Sequence, residues 1–166
     1  MFRPGDAVET AEAWQCALAA EESPSILALS RQGLEQFRLG DLSENMTARG
    51  AYIAAGEADE RQVTLMASGS EVGIAILAHE MLAADGIAAT VVSVPCMELF
   101  RQQDAAWRKM VLGTAPRIAA FHASRSRLSD AFARGPSQSS SVSTSGRADS
   151  SVSTGGVRAP SDAASE

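Results

Sequence analysis

Residues 63–72 read Val63-Thr64-Leu65-Met66-Ala67-Ser68-Gly69-Ser70-Glu71-Val72, and this stretch decides the fold. The first five residues form an unbroken apolar-rich run, which is typical of a strand buried in a parallel sheet. Ser68-Gly69-Ser70 then forms a turn, and a helical pattern continues from Glu71 to Ala84, with Gly86 as its C-cap. A buried strand, a turn and a helix in this order form the first half of a βαβ unit.

The chain after this helix repeats the same alternation. Residues 90–94 predict a second strand that Pro95 stops, residues 104–112 predict a helix that ends at Gly113, and residues 117–121 predict a third strand. Residues 51–54 predict a short edge strand ahead of the unit. We therefore expect an α/β fold with a mostly parallel sheet, right-handed crossovers and flanking helices over residues 50–123.

The residues ahead of this unit predict a partial α/β segment over residues 1–34. Asp6 and Glu9 resemble an acidic capping box, and apolar residues at helical spacing predict a helix from Ala7 to about Ala20. The apolar run Ile26–Leu29 then predicts a strand buried on both faces. Residues 35–49 mix charges with turn-forming residues, and we interpret them as a linker between domains.

The end of the chain has a different composition. From Pro136 onwards Ser, Gly and Thr dominate, and no aromatic residue follows Phe132. Such a composition buries too little apolar surface to offset the entropy of ordering the chain. We therefore expect residues 124–166 to form a disordered tail.

Composition excludes several classes of partner. The formal net charge is -6 and the isoelectric point is about 4.9, which disfavours binding to nucleic acid or to an anionic membrane. No signal peptide and no membrane-spanning run is visible, so we expect a cytoplasmic protein. Cys16 and Cys96 form no metal-binding spacing and are expected to be reduced and mostly buried.

Three segments, in their order and spacing, resemble transketolase. They are Phe2-Arg3-Pro4-Gly5-Asp6-Ala7-Val8-Glu9-Thr10-Ala11-Glu12-Ala13-Trp14, then Leu27-Ala28-Leu29-Ser30-Arg31-Gln32, then residues 63–72 followed by Val92-Ser93-Val94-Pro95-Cys96-Met97-Glu98-Leu99-Phe100. The resemblance implies that residues 1–34 end a pyrimidine-binding domain and that residues 50–123 are a truncated C-terminal domain. It also implies a parent enzyme that transfers a two-carbon ketol unit from a ketose phosphate to an aldose phosphate.

The departures from this family concern the cofactor. Family members are homodimers that use thiamine diphosphate and a divalent metal, magnesium or calcium. The Gly-Asp-Gly…Asn pattern that binds the diphosphate and metal is absent here, and the family's activating glutamate and catalytic histidines correspond to positions before Met1. After Ala123 the family continues with Phe-Gly-Trp, whereas this chain has Ser124–Ser129. We therefore expect no catalytic, cofactor-binding or metal-binding residue in this chain alone.

Arg31 is the one candidate substrate-binding residue. It follows a predicted buried strand, and ligands of open α/β sheets gather at the carboxyl ends of strands. Its planar guanidinium can bind a phosphate through two parallel hydrogen bonds, which a lysine cannot reproduce. By resemblance it binds the phosphate of the sugar substrate. The alternative is a surface arginine paired with Glu35 or another acid.

Other polar residues have simpler interpretations. Residues 68–71 could bind an anion at a helix N-terminus, but Ser70 as a helix cap and Glu71 as a dipole partner explain them better. His79 and His122 have no nucleophile or carboxylate at an informative spacing, so we expect structural or exposed roles. Cys96 has no adjacent cation to lower its thiol pKa, which favours a packing role.

Three functions remain open at this point. The first is a transketolase fragment that is inactive alone and whose parent acts on sugar phosphates. The second is a non-catalytic module that packs against another transketolase-like subunit. The third is the product of an interrupted gene, which the low-complexity tail suggests.

Overall fold

A computed structural model describes residues 1–40 and 42–121. The predicted tail and His122 lie outside these residues. In chain order the elements are helix α1 Ala7–Ala19, a short 3₁₀ helix Met46–Arg49, strand β1 Tyr52–Ala55, strand β2 Val63–Ala67, helix α2 Glu71–Ala84, strand β3 Ala89–Ser93, helix α3 Met97–Gln102, helix α4 Ala105–Leu112 and strand β4 Arg117–Ala120.

The strands form one sheet in the order β1-β3-β2-β4. Strands β3, β2 and β4 run parallel, with Leu65 of β2 opposite Val91 on one side and Ile118 on the other. Strand β1 pairs antiparallel with β3 and lies at the edge. The predicted α/β fold with a mostly parallel sheet is confirmed, and so are the edge strand and both crossover helices.

The core lies on both faces of the sheet because strand residues alternate between them. On one face Met66 and Val92 pack with Phe100 of α3 and Val111 of α4. On the other face a cluster that includes Leu65 and Val91 packs against α2. None of the helices in the described ranges combines the length and the apolar character needed to cross a bilayer.

Helix α1 forms where the sequence predicts it, but the side that is buried is not the side that carries the large apolar residues. Asp6 caps it by accepting a hydrogen bond from the Glu9 amide at 2.8 Å. The apolar positions that predict the helix include Trp14 and Leu18, which are 52% and 78% exposed. The buried residues are instead Glu9, Glu12 and Ala13. The helix therefore docks through two carboxylates and through Ala13, which packs with Phe2 and Cys96, and it presents Trp14 and Leu18 outward.

The prediction of a buried strand at Ile26–Leu29 is wrong. Leu27 makes one isolated parallel bridge to Phe2, and Ile26 and Leu29 are 63% and 53% exposed. An apolar run becomes a buried strand only when neighbouring strands cover both of its edges. Within the described residues, Phe2 is the single bridge partner of this segment.

Two local features differ from the sequence-based expectation. Helix α3 was not expected, because its six residues are too few for a periodic pattern. Ser70 occupies the N-cap of α2 but its side chain makes no capping hydrogen bond there, whereas Asp104 caps α4 by accepting from the Trp107 amide at 2.7 Å. The residues interpreted as a linker include the 3₁₀ helix, and Gly50 follows it as the C-cap.

Candidate functional site

Arg31 lies on a surface loop, residues 29–35, that is hydrogen-bonded at both ends to the N-terminal segment. On one side the Ala28 amide donates to the Phe2 carbonyl at 2.9 Å. On the other side the Asp6 carboxylate accepts from the Gln36 side chain at 2.9 Å. The guanidinium itself is exposed to solvent. The loop is therefore anchored, and its arginine is accessible.

The alternative role for Arg31 is an ion pair with a neighbouring acid. Glu35 is four residues away and also exposed, but among the described residues Arg31 makes no ion pair or hydrogen bond. A guanidinium that carries a fixed charge and has no internal partner can bind an external anion without first breaking a contact. The geometry is compatible with phosphate binding.

The carboxyl ends of β2 and β3 are covered by the N-terminal segment. The Arg3 amide donates to the Pro95 carbonyl at 2.8 Å, and the Gly69 amide donates to the Arg3 carbonyl at 3.0 Å. The Arg3 side chain lies 3.5 Å from a Glu71 carboxylate oxygen. A carboxylate and a backbone segment thus occupy the start of α2, which argues against an anion site at residues 68–71.

The buried side of α1 carries three acidic residues, Asp6, Glu9 and Glu12, which we call the acidic stripe. Asp6 binds the chain that follows the Arg31 loop. One of its carboxylate oxygens accepts from the amides of Phe37 and Arg38 at 3.3 and 2.9 Å, as well as from Gln36. This residue fixes the exit of the loop.

Glu9 joins α1 to the sheet. Its carboxylate accepts from the Tyr52 hydroxyl on β1 at 2.7 Å, from the Ser93 hydroxyl on β3 at 2.5 Å and from the Gly5 amide at 2.6 Å. The side chain is completely buried. Burial raises the pKa of the Glu9 carboxyl, although the hydrogen bonds from Ser93, Tyr52 and Gly5 favour the ionised form and oppose this shift.

Glu12 joins α1 to the 3₁₀ helix. It accepts two hydrogen bonds from Arg38 at 2.8 and 3.0 Å, and it also accepts from the amide and the hydroxyl of Thr47 at 2.9 and 2.8 Å. Both members of the ion pair have side chains that are only 10% exposed. The Arg38 guanidinium also lies over the ring of Tyr52 at 5.2 Å.

The remaining candidates have structural roles. His79 Nδ1 lies 2.7 Å from the Ala89 carbonyl oxygen, so this nitrogen carries the proton and links α2 to β3. Cys96 is buried and Cys16 is half-buried, and both are free thiols. Burial raises the pKa of each thiol, which makes both poor nucleophiles at neutral pH. The expected packing role of Cys96 agrees with this environment.

The described residues do not fit the divalent metal that accompanies thiamine diphosphate in the family. Residues 1–40 and 42–121 hold no group of three or more His, Cys, Asp or Glu side chains that could bind a metal ion. The acidic residues that do lie together, Asp6, Glu9 and Glu12, are each saturated by internal hydrogen bonds. The described residues can therefore present an arginine to an anion, while their neighbouring acidic side chains are engaged in internal contacts.

The acidic stripe was missed at the sequence level. Its signal was present, because Asp6, Glu9 and Glu12 follow one another at intervals of three residues and so share one side of a helix. Acidic residues at such spacing usually face solvent, since charged side chains are rarely buried unless paired. Only their distant partners show that this side is buried.

Comparisons with known proteins agree with the fold. The family described as "Transketolase-like TK C-terminal domain" matches residues 50–153, a range that runs beyond Ala123. The chain is 55% identical over 118 residues to the transketolase of Cereibacter sphaeroides, a match that covers 71% of this chain and 18% of that protein. The chain thus spans less than a fifth of the length of this relative.

Solved structures give the same result. A transketolase from Pichia stipitis in complex with sedoheptulose 7-phosphate superposes with a TM-score of 0.64 at 33% identity, over 71% of this chain and 17% of that one. A structure described as a split gene transketolase, in an inactive β4 tetramer, superposes with a TM-score of 0.54 at 25% identity, over 72% of this chain and 37% of that one.

Proposed function

The chain belongs to the transketolase family, and we propose that it forms the end of the pyrimidine-binding domain and part of the C-terminal domain of an enzyme that transfers a two-carbon ketol unit between sugar phosphates. In this assembly Arg31 binds the phosphate of the sugar. We also propose that the assembly acts in the cytoplasm.

One observation supports the role of Arg31 above all others. Its guanidinium is exposed and without an internal partner in the described residues, yet its loop is anchored on both sides to residues 2–6. A binding group that is already held in place loses less conformational entropy when its ligand arrives. An anchored, accessible arginine is therefore suited to binding a small dianion such as a sugar phosphate.

We propose that the residues that perform the carbon–carbon bond chemistry lie outside residues 1–121. Thiamine diphosphate supplies the electron sink for such a reaction, and the described residues contain no cluster of side chains that could bind the metal that accompanies it. One related structure is described as a split gene transketolase in an inactive β4 tetramer. We infer that turnover requires cofactor-binding domains beyond the part of a transketolase that this sequence covers, which is 18% of the Cereibacter sphaeroides protein.

A non-catalytic interaction module is the second candidate. The observation that favours it is the set of apolar side chains on the outward side of α1 and on the segment after it: Trp14, Leu18, Ile26 and Leu29. Exposed apolar side chains on neighbouring elements are typical of a surface that contacts another protein. In this second candidate another polypeptide packs against these apolar side chains. The two candidates differ in whether a complex that contains this chain converts sugar phosphates.

Two measurements separate these candidates. Calorimetric titration of the isolated chain with thiamine diphosphate and magnesium is expected to give no saturable heat. The isolated chain is also expected to show no turnover of sedoheptulose 7-phosphate with an aldose phosphate acceptor. Addition of a polypeptide that carries the two upstream transketolase domains should restore turnover. Turnover by the isolated chain, or none by the mixture, would contradict the proposed division of labour.

Arg31→Ala is expected to weaken sugar binding in the active mixture. Loss of the charge-assisted hydrogen bonds to phosphate should raise KM for sedoheptulose 7-phosphate by about 10- to 100-fold, with a smaller change in kcat. Arg31→Lys should have an intermediate KM, because it keeps the charge but not the two-point geometry. Steady-state kinetics of the mixture measure both values.

Arg108→Ala is the matched control for this prediction. Arg108 is an exposed arginine on α4, away from the Arg31 loop in the chain, and its removal should leave KM unchanged. An Arg31→Ala mixture whose KM equals that of the Arg108→Ala mixture would rule out phosphate binding by Arg31.

A further inference from the structure

We propose that Glu9 is a positioning residue for Arg31, and that its carboxyl group holds helix α1 against the sheet in a proton-dependent way. The functional consequence rests on the phosphate role proposed above for Arg31. The structural part of the inference rests only on contacts within this chain.

The first step is the attachment of α1 to the sheet. The carboxylate of Glu9 is the only side chain of α1 that bonds to both an edge strand and an inner strand in the described residues, through Tyr52 of β1 and Ser93 of β3. These partners are 43 and 84 residues away in sequence. Ala13 adds an apolar contact with Phe2 and Cys96, whereas the larger apolar side chains Trp14 and Leu18 face outward.

The second step connects α1 to the Arg31 loop. Residues 2–6 lead directly into α1, and both anchors of the loop lie within them, at Phe2 and Asp6. The Gly5 amide, between those anchors, donates to the carboxylate of Glu9. The Arg3 backbone also bonds this segment to Pro95 and Gly69, so loss of the Glu9 contacts loosens both ends of the loop without releasing them, and the position of Arg31 becomes less fixed.

The third step concerns the proton. A completely buried carboxylate is costly to ionise, and burial raises the pKa of Glu9 accordingly. Because the folded-state pKa lies above the unfolded value, the stabilisation from Glu9 is fully present below the unfolded pKa. It is lost as pH rises through the folded pKa. The attachment of α1 to the sheet should therefore be tightest at low pH.

The charged and titratable groups near Glu9 come from several elements. Asp6 at the start of α1 adds a like charge that raises the pKa further. Tyr52 of β1 is a hydrogen-bond donor with a pKa that burial raises, so it stays neutral. Arg38 is held over the Tyr52 ring and is paired with Glu12. Burial and the Asp6 charge therefore both raise the pKa of Glu9, whereas its three hydrogen-bond donors lower it.

Amide hydrogen exchange of the labelled chain tests the proposal. Protection factors, which correct for intrinsic exchange at each pH, would be measured by NMR for the two anchors and for the central strands. The anchors are the amides of Ala28, Phe37 and Arg38, and Leu65 and Val91 serve as the internal reference. The comparison covers the wild type, Glu9→Gln and Glu9→Ala from mildly acidic to mildly alkaline pH.

Glu9→Ala should lower the protection of the anchors about tenfold relative to the reference strands, because three donors lose their acceptor. Wild-type anchor protection should fall as pH rises through the pKa of Glu9. Glu9→Gln, which resembles the protonated carboxyl, should stay within about threefold of the acidic wild type at every pH. An equal pH dependence in Glu9→Gln and wild type would overturn the proposal, and so would unchanged anchors in Glu9→Ala.

Tyr52→Phe keeps the test valid if Glu9→Ala fails to fold. This variant retains the ring and removes one hydrogen bond to Glu9, so anchor protection should fall about threefold; no change would also overturn the proposal. Exchange requires no sugar phosphate, so its outcome is independent of Arg31. If the exchange results hold while Arg31→Ala leaves KM unchanged, the phosphate role fails and the attachment by Glu9 stands.

Discussion

Glu12→Ala is expected to lower the free energy of unfolding by about 3–5 kcal/mol, because it leaves a buried arginine without its partner. The substitution removes the acceptor of two hydrogen bonds from Arg38 and of two from Thr47. Both side chains of the Glu12–Arg38 pair are only 10% exposed, and Thr47 is completely buried. Urea denaturation followed by circular dichroism measures the change.

Glu44→Ala is the matched control for Glu12→Ala. Glu44 also pairs with an arginine, Arg49, at 2.9 Å, but these side chains are 57% and 42% exposed. An exposed pair contributes about 1 kcal/mol or less because water screens it. If both variants lose the same stability, burial of the Glu12–Arg38 pair is not what makes it important.

Gly50→Ala is expected to destabilise the fold by about 3 kcal/mol or more, because the added methyl group meets backbone rather than mobile side chains. A Cβ at this position would lie 2.1 Å from the Phe100 nitrogen and 2.5 Å from the Cys96 carbonyl oxygen. The φ angle of Gly50 is +77°, which adds strain for any residue with a side chain. The same urea experiment gives the value.

Gly86→Ala separates the two causes. Gly86 has nearly the same φ angle, +76°, but an added Cβ would have no neighbour within 4 Å. Its substitution should therefore cost only the backbone strain, about 1–2 kcal/mol. A loss at Gly50 no larger than the loss at Gly86 would show that α3 moves away easily, contrary to the close packing described here.

The sheet and its crossover helices were predictable because their signals are local. Residues 63–72 contain the whole strand, turn and helix start, and Gly86 and Pro95 end the next elements. Helix α3 was not predictable in the same way. Its position depends on Phe100 packing into the core beside Met66, a contact between residues that are distant in sequence.

The N-terminal helix shows why periodicity alone does not reveal which side is buried. Val8, Ala11, Trp14 and Leu18 predict the helix correctly, because their spacing reports backbone conformation. The buried side is decided by the partners available, and here Tyr52, Ser93 and Thr47 favour carboxylates. The sequence therefore predicted the element but not its orientation.

The candidate site was predictable to a similar extent. Arg31 was chosen as a candidate from the family that Ser30 and Gln32 resemble and from a preceding strand that the structure does not form, so its phosphate role stays a prediction. The structure adds that its loop is anchored at both ends. Asp6, which holds one of those anchors, was predicted only as a helix cap. Its second role depends on residues 36–38, about thirty positions further along, which no local pattern relates to it.

The contact between Tyr52 and Glu9 also gives the protein a natural optical probe. Tyr52 is the only tyrosine in the sequence, and both burial and the adjacent carboxylate raise its pKa above the ordinary phenol value. Phenolate absorbs in the near ultraviolet where the neutral ring does not. The appearance of that absorption band at alkaline pH therefore reports that the Tyr52 hydroxyl on the sheet has separated from Glu9 on the helix, and no dye or engineered chromophore is needed.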